Sequence, residues 1–261
     1  MCTLTFVPDS DGYTLAMNRD ERIDRGRGEF PQVRRISRMR AIYPSLDGRT
    51  WIGANEYGIA WALLNWNKPS LPRAELRSRG LVIPALANAG SSAGLTYQTI
   101  YMAARDCAPF RLICIVPDER LIVQWNWDGL SLASETHKWR LRHWFSSRAS
   151  DARVAELRGA ICVRASKQSD SRSLAWLRSL HRSHENGPGP FSICVHREQV
   201  ETLSYTEVSC TRESVSMRHS IGSPCHSGEI RTIALARTDQ AAQTDGHVIH
   251  DADKEQDVCR F

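Results

Sequence analysis

Cys2 carries the sharpest chemistry in the sequence. Once Met1 is removed, residue 2 presents a thiol and a free α-amine together. Such an amine titrates at about 7.7–8.0 and a cysteine thiol at about 8.5. The amine can therefore serve as the thiol's own general base, as the N-terminal amine does for threonine nucleophiles. A second group follows at Asn18-Arg19-Asp20-Glu21. Between the two lies Asp9-Ser10-Asp11-Gly12, a turn sequence. A hairpin closed there brings Cys2 beside Asn18 and Arg19. A guanidinium near a thiol favours the thiolate, and Asp20 either orients the amine or fixes Arg19. The same four residues also read as a solvated charge cluster at a strand end. A third group is Gly53-Ala54-Asn55-Glu56-Tyr57-Gly58, leading to Leu64-Asn65. Asn65 ends an apolar run, where its amide reads equally as a donor to an oxyanion or as a turn cap.

The histidines and remaining cysteines suggest no metal centre and no cofactor. His181-x-x-His184, Cys194 and His196 are of metal-ligating type. Without a carboxylate nearby they read as core and hydrogen-bonding groups. Cys225-His226, His247 and His250 read as incidental. None of the eight cysteines forms a C-x-x-C pair, which argues against a zinc ribbon or redox motif. The start, Met1-Cys2-Thr3-Leu4, lacks a basic region and a long apolar stretch. It does not read as a secretory signal, so a cytoplasmic location and reduced cysteines are expected.

Composition bounds the rest. The chain has 261 residues, 41% hydrophobic and 24% charged, ordinary for a globular protein. No apolar run approaches the roughly 20 residues of a membrane span; Leu112–Pro117 is among the longest. The net charge of +5 comes mainly from arginine, which supplies 30 of 34 basic residues. Eight arginines and four acids lie between Arg19 and Arg40. The acids are interleaved and no nucleic-acid module accompanies them, so no nucleic-acid partner is expected.

The elements that must position these groups are legible as periodicity. Cys2–Pro8 and Tyr13–Asn18 alternate as a strand pair. An Arg-rich connection follows, with Pro31 and Pro44 as breakers. Trp51–Asn55 and Ile59–Asn65 form a second hairpin, its second strand apolar enough to be buried on both faces. Arg77–Ala89 and Leu95–Arg105 read as helices, with Pro84 delaying the first. Arg111–Val116 and Leu121–Trp127 make a third hairpin, Ser173–His184 a helix, and Phe191–His196 and Val200–Val208 strands. Residues 1–220 form the domain. Residues 221–261 read as a polar acidic, poorly ordered tail. The class is α+β, a mixed sheet packed on helices.

Taken together, Cys2-Thr3, Asn18-Arg19-Asp20-Glu21 and the Gly-x-Asn-x-x-Gly turn ending in Leu-Leu-Asn65 resemble the NRDE family, also called the transport-and-Golgi-organisation family. Further segments fit: Asp47–Trp51, Ser78-Arg79-Gly80 with Ile83-Pro84, Pro109–Leu112, His181–His184, Phe191–Arg197 and Thr202–Thr206. That family resembles N-terminal-nucleophile hydrolases such as penicillin V acylases and bile-salt hydrolases. The resemblance implies a four-layer αββα sandwich and a C–N amide hydrolase. Cys2 would be nucleophile and base, Arg19 its flanking cation, and Asp20 the holder of the amine, with Glu21 competing for that role. Asn65 would be the oxyanion donor, and Asn18, Glu21, Asn55 and Trp66 would surround the substrate. The ligand implied is a small acyl-amide or lipid-like molecule. The family's links to lipid and haem handling imply a non-catalytic alternative, with haem as a second candidate ligand. Nothing in the sequence sets an oligomeric state.

Overall fold

The N-terminal hairpin forms as β1 (Cys2–Pro8) and β2 (Tyr13–Arg22). The Asp9 N–H donates to the Gly12 carbonyl at 2.9 Å to close the turn. Gly12 is required there, because any Cβ would collide with the Cys210 carbonyl. The register pairs Cys2 with Arg19 and Thr3 with Asn18. Strand alternation then puts Cys2, Leu4, Phe6, Leu15, Met17 and Arg19 on one face. Thr3, Thr5, Asn18 and Asp20 point to the other, and all four are buried.

The computed structural model describes residues 2–68, 76–89, 91–148, 150–226 and 228–238. Further along the chain come β3 (Glu29–Ile36), β4 (Met39–Ser45), β5 (Ile52–Asn55) and β6 (Ala60–Asn65). Helices α1 (Val82–Leu86) and α2 (Tyr97–Ala104) follow. Strands β7 (Phe110–Val116), β8 (Leu121–Trp127), β9 (Leu132–His137) and β10 (Arg142–Ser146) precede α3 (Asp151–Ala165) and α4 (Leu174–His181). The described chain ends with β11 (Val200–Cys210), β12 (Ser214–Ile221) and β13 (Ile230–Ala236).

These strands make two antiparallel sheets, one ordered β10-β1-β2-β11-β12-β13 and the other β3-β4-β5-β6-β7-β8-β9. Three apolar layers separate four layers of structure. Between the sheets, Leu4, Phe6 and Met17 meet Ile52, Leu64 and Ile113. Helices α1 and α2 cover the seven-stranded sheet through Ile83, Leu86 and Ile100 against Trp61 and Phe110. Helices α3 and α4 cover the six-stranded sheet through Val154, Trp176 and Leu177 against Ala16 and Tyr205. The αββα sandwich is thus the architecture observed. Fully burying one large apolar side chain contributes about 1.5–3 kcal/mol, so a sheet covered on both faces favours continuous apolar strands such as β6 over alternating ones.

Several sequence expectations need correction. The Arg-rich connection is not a loop but the β3–β4 hairpin. Pro31 is accommodated because β3 is an edge strand whose pairing slips between Glu29 and Gln32. Pro44 lies past Ala41 and Ile42, where pairing with β5 is confined. The expected helix over 77–89 shrinks to Val82–Leu86 after a 3-10 turn at Arg79–Leu81, consistent with Pro84 being tolerated only in a first turn. Phe191–His196 is an irregular loop: the Cys194 and His196 N–H groups donate to Ser183 and Pro188 carbonyls, not to a neighbouring strand. Helix α3 and strands β9, β10 and β12 have no counterpart among the expected elements. The boundary after residue 220 also moves. Ile230–Ala236 pairs along β12, with Leu235 buried between the sheets, so the sheet extends past the expected tail start. Residues 239–261 lie outside the described residues.

Asn18, expected at the substrate, instead fastens β2 to α4. Its Nδ2 donates to the His181 and Ile193 carbonyls, at 2.9 Å each. That leaves Asn18 Oδ1 to accept from His181 Nδ1 at 3.0 Å. His181 Nε2 must then accept from the Thr5 hydroxyl at 3.0 Å, and that hydroxyl accepts from His143 Nδ1 at 3.0 Å. The reading of His181 as a core histidine holds.

Two measurements follow. A chain ending at residue 221 lacks β13, and its thermal midpoint should drop by at least about 5 °C, on a scale of roughly 2–4 °C per kcal/mol at this size. An unchanged midpoint would restore the boundary at 220. The second concerns acid. Burial, reinforced by His143 and the Arg158 guanidinium, lowers His181 to about 3, and burial lowers His143 and His219 to about 4. The unfolded chain protonates these rings below about 6.5 while the fold keeps them neutral, so stability is highest above that pH and is lost as pH falls toward 4. Each ring accounts for up to about 1 kcal/mol per pH unit in that window. Urea midpoints should therefore fall between pH 6.5 and 4, and a flat profile there would contradict the neutral network.

Candidate active site

A cleft of about 370 Å³ opens where the start of β1 meets the ends of β2 and β6. Cys2, Arg19, Asp20, Glu21 and Asn65 all border it. Cys2 is hydrogen-bonded into the sheet between Arg19 of β2 and Ser146 of β10. Only 6% of its surface is exposed. Arg19 is held on the same face. Its guanidinium lies 4.3 Å from the Trp51 ring centroid, and its Nη1 donates to the Gly26 carbonyl at 3.2 Å. Stacking on an indole fixes a planar cation without neutralising it.

Opposite, β6 delivers Asn65 paired with Phe110 of β7. The third wall is a crossing of two loops. The Thr50 N–H donates to the Gly80 carbonyl at 2.9 Å. A Cβ on Gly80 would sit 2.7 Å from Arg49 Cβ and 3.3 Å from Thr50 N. Glycine at that position is what lets the Ser78–Gly80 segment approach Arg49 and Thr50 and complete the cleft.

The electrostatics are mixed at the thiol and positive at the rim. Burial raises the Cys2 thiol, with Asp20 and Glu21 adding to the shift, while the N-terminal charge and Arg19 oppose it. Burial also lowers Arg19. For Glu21, burial pushes upward, yet the Arg22 N–H, the N-terminal charge, Arg25 and Arg19 outweigh it and hold the carboxyl below its usual range. Glu21 is therefore an anion on the thiol's face of β2. Arg25, Arg49, Arg77 and Arg79 line the outer cleft. Arg25 pairs with Glu21 at 3.2 Å, and Arg79 donates to the Pro109 carbonyl at 3.0 Å.

Behind the thiol strand lies a residue that sequence reading missed. Arg158 of α3 is fully buried. Its Nη1 donates to Thr3 Oγ1 at 2.6 Å, and its Nη2 donates to Asp20 Oδ2 and to the Pro190 carbonyl, each at 3.2 Å. The other Asp20 oxygen accepts from Thr202 Oγ1 at 2.7 Å. Removing one partner of a buried ion pair costs about 3–5 kcal/mol. Arg158 thus clamps β1 to β2 directly beneath the Cys2–Arg19 pair. The one sequence signal was an arginine on the Val154–Ile161 stripe of a helix that was itself unrecognised. Arg111 of β7 opens the first strand of the third expected hairpin. It bonds the Phe145 carbonyl of β10 and interacts with the Cys2 charge.

Other expected residues fall elsewhere. Asp20 borders the cleft, but its carboxylate is engaged by Arg158 and Thr202, on the opposite face of β2 from the thiol. Asn55 is fully buried and ties its own turn together. Its Oδ1 accepts from the Tyr57 and Ile59 N–H groups at 3.1 Å, and its Nδ2 donates to the Ala87 and Ala89 carbonyls at 3.3 and 2.8 Å. It is a turn cap and not a substrate contact. Trp66 is half-buried beyond the cleft lining, with Lys68 Nζ 5.1 Å from its ring. Of the residues set aside as incidental or core, His184, Cys194, His196 and Cys225 converge, their ligating atoms all within 4.8 Å of one another.

The fold has solved counterparts. A Caenorhabditis elegans N-acylethanolamine-hydrolyzing acid amidase orthologue matches 79% of this chain and 92% of its own, at 9% identity and a TM-score of 0.50. Two variant structures of a conjugated bile acid hydrolase from Clostridium perfringens match 92% of this chain and 97% of theirs, at 9% identity and TM-scores of 0.48 and 0.46. The likeness to the amidase orthologue is one of fold, two antiparallel sheets between helices. Among curated proteins, none matches the chain in sequence. The family model described as Transport and Golgi organisation 2 matches residues 1–148, which contain β1, the Asn18–Glu21 group and Asn65. On that match the chain belongs to the Transport and Golgi organisation 2 family.

Proposed function

We propose that this chain is an N-terminal cysteine amidohydrolase acting on a small acyl-amide. The observation that carries the reading is the Cys2–Arg19 pair at the base of the cleft, with Glu21 on the same strand face. With Met1 removed, the Cys2 α-amine takes the Sγ proton, a transfer that the buried and upward-shifted thiol requires. Sγ attacks the amide carbon. The Asn65 side-chain N–H and a backbone N–H receive the developing oxyanion. Collapse expels the amine, which takes its proton from the α-ammonium, and water then releases the acid from the thioester. Glu21, on the thiol's face of β2, holds the Cys2 ammonium once Met1 is gone, and Arg19 stabilises the thiolate.

The rim narrows the substrate. Four arginines around the outer cleft favour an amide bearing a carboxylate, phosphate or sulfonate, because a guanidinium grips such groups with two bonds. A second reading draws on the depth of Cys2: a thiol so buried also suits a pocket that holds a lipid-like or haem ligand without cleaving it.

The test is turnover of paired N-acyl amides with anionic and neutral amine halves. Wild type should turn over the anionic member with the lower KM. Cys2→Ala should lower kcat at least about a thousandfold, as loss of a nucleophile does elsewhere, and Asn65→Ala about a hundredfold or more. Wild-type turnover by Cys2→Ala would overturn the mechanism. Binding of the amides without cleavage by either protein would favour the second reading.

A further inference from the structure

We propose that His184, Cys194, His196 and Cys225 form a structural zinc(II) site on the far side of the six-stranded sheet's β2–β11 pair from the cleft. The geometry suits tetrahedral coordination. Cys194 Sγ lies 3.6 Å from Cys225 Sγ and 3.6 Å from His196 Nε2, and His196 Nε2 lies 3.1 Å from Cys225 Sγ. The His184 and His196 rings are 5.0 Å apart, centroid to centroid. Zn–S bonds of about 2.3 Å and Zn–N bonds of about 2.1 Å imply tetrahedron edges of roughly 3.4–3.8 Å. Two of the three separations fall on those edges and the third is shorter, and the ligating atom of His184 lies within 4.8 Å of the other three, close enough for a small side-chain adjustment to complete the set.

The donor set selects the metal. Two thiolates and two imidazoles in a tetrahedral arrangement suit zinc, whereas magnesium and calcium take oxygen donors. Four protein ligands leave no open position, so the site is structural and not hydrolytic. Loading it releases the two thiol protons to solvent. The spacing explains why the sequence hid it. The ligands come from three separate segments: the exit of α4, the irregular loop before β11, and the loop between β12 and β13.

The site gives the loop a reason to be irregular. Its backbone is bonded to Ser183 and Pro188 on one side and meets β11 only through Val195–Thr202, Arg197–Val200 and an isolated bridge between His196 and Glu201. The Val195 N–H, between two ligands, donates to Thr202 Oγ1 at 2.8 Å, and Thr202 Oγ1 donates to Asp20. A metal here would pin the loop that supports the Asp20–Arg158 clamp, whatever chemistry the cleft performs.

The test uses the full chain expressed with zinc and purified without chelator. Elemental analysis should find one zinc per chain. Replacement by cobalt(II) should give the visible ligand-field bands of a tetrahedral ion and a near-ultraviolet thiolate charge-transfer band. Cys194→Ser and Cys225→Ser should each remove one thiolate's share of that band and lose zinc to a chelator that spares wild type, while Cys107→Ser should change neither. A wild-type chain without zinc and without cobalt bands would overturn the proposal. So would an intact mass lighter by two hydrogens, signifying a Cys194–Cys225 disulfide, or zinc retention unchanged in both serine variants. The cobalt spectrum of wild type decides the matter even where a variant fails to fold.

Discussion

The buried ion pair between Arg158 and Asp20 is the constraint on which the site depends. An ionised arginine and an ionised aspartate, both removed from water, are tolerated only when their remaining bonds are met. Here Thr3, Thr202 and the Pro190 carbonyl meet them. The guanidinium bonds β1, β2 and the loop before β11, and Asp20 in turn bonds β11, so the pair ties these segments to α3. Because β1 and β2 alternate, fixing Thr3 and Asp20 on the helix side fixes Cys2 and Arg19 on the other. A slip of one residue would turn the thiol into the helix layer and leave Asp20 facing the apolar space between the sheets.

The same alternation separates two kinds of polarity. On the helix side, the hydroxyls and rings of Thr5, Asn18, His143 and His181 satisfy one another and leave nothing for a ligand. On the cleft side, charge is left facing open space. Arg19 rests on an aromatic ring, Glu21 is balanced by Arg25, and the outer arginines exceed the acids. The groups consumed by the fold are held away from the thiol, and those available to a ligand surround it.

How far the sequence spoke for the structure depended on whether a signal was local. The Asp9–Gly12 turn is local, so the Cys2–Arg19 pairing was legible, as were the β5–β6 and β7–β8 hairpins. Roles set by tertiary contact were not. Asn18 and Asn55 are chemically competent amides, and only the approach of α4 and of the Ala87–Ala89 carbonyls shows that they are spent on structure. Arg158 interrupts the apolar stripe of α3, and a buried arginine hides the helix that carries it. Leu235 and Ile233 alternate too briefly to announce β13, which needs β12 beside it to form. His184, Cys194, His196 and Cys225 are dispersed along the chain, and it is the fold that gathers them.

The central proposal is that residue 2 is a mature, reactive N-terminal nucleophile held at the base of an anion-favouring cleft. The most direct measurement is the intact mass of the full chain before and after exposure to a thiol-reactive acyl probe, for wild type and for Cys2→Ser. The account predicts a mass lacking Met1 and a single rapid adduct that Cys2→Ser abolishes. A chain that keeps Met1, or labelling that is the same with and without the residue 2 thiol, would contradict it.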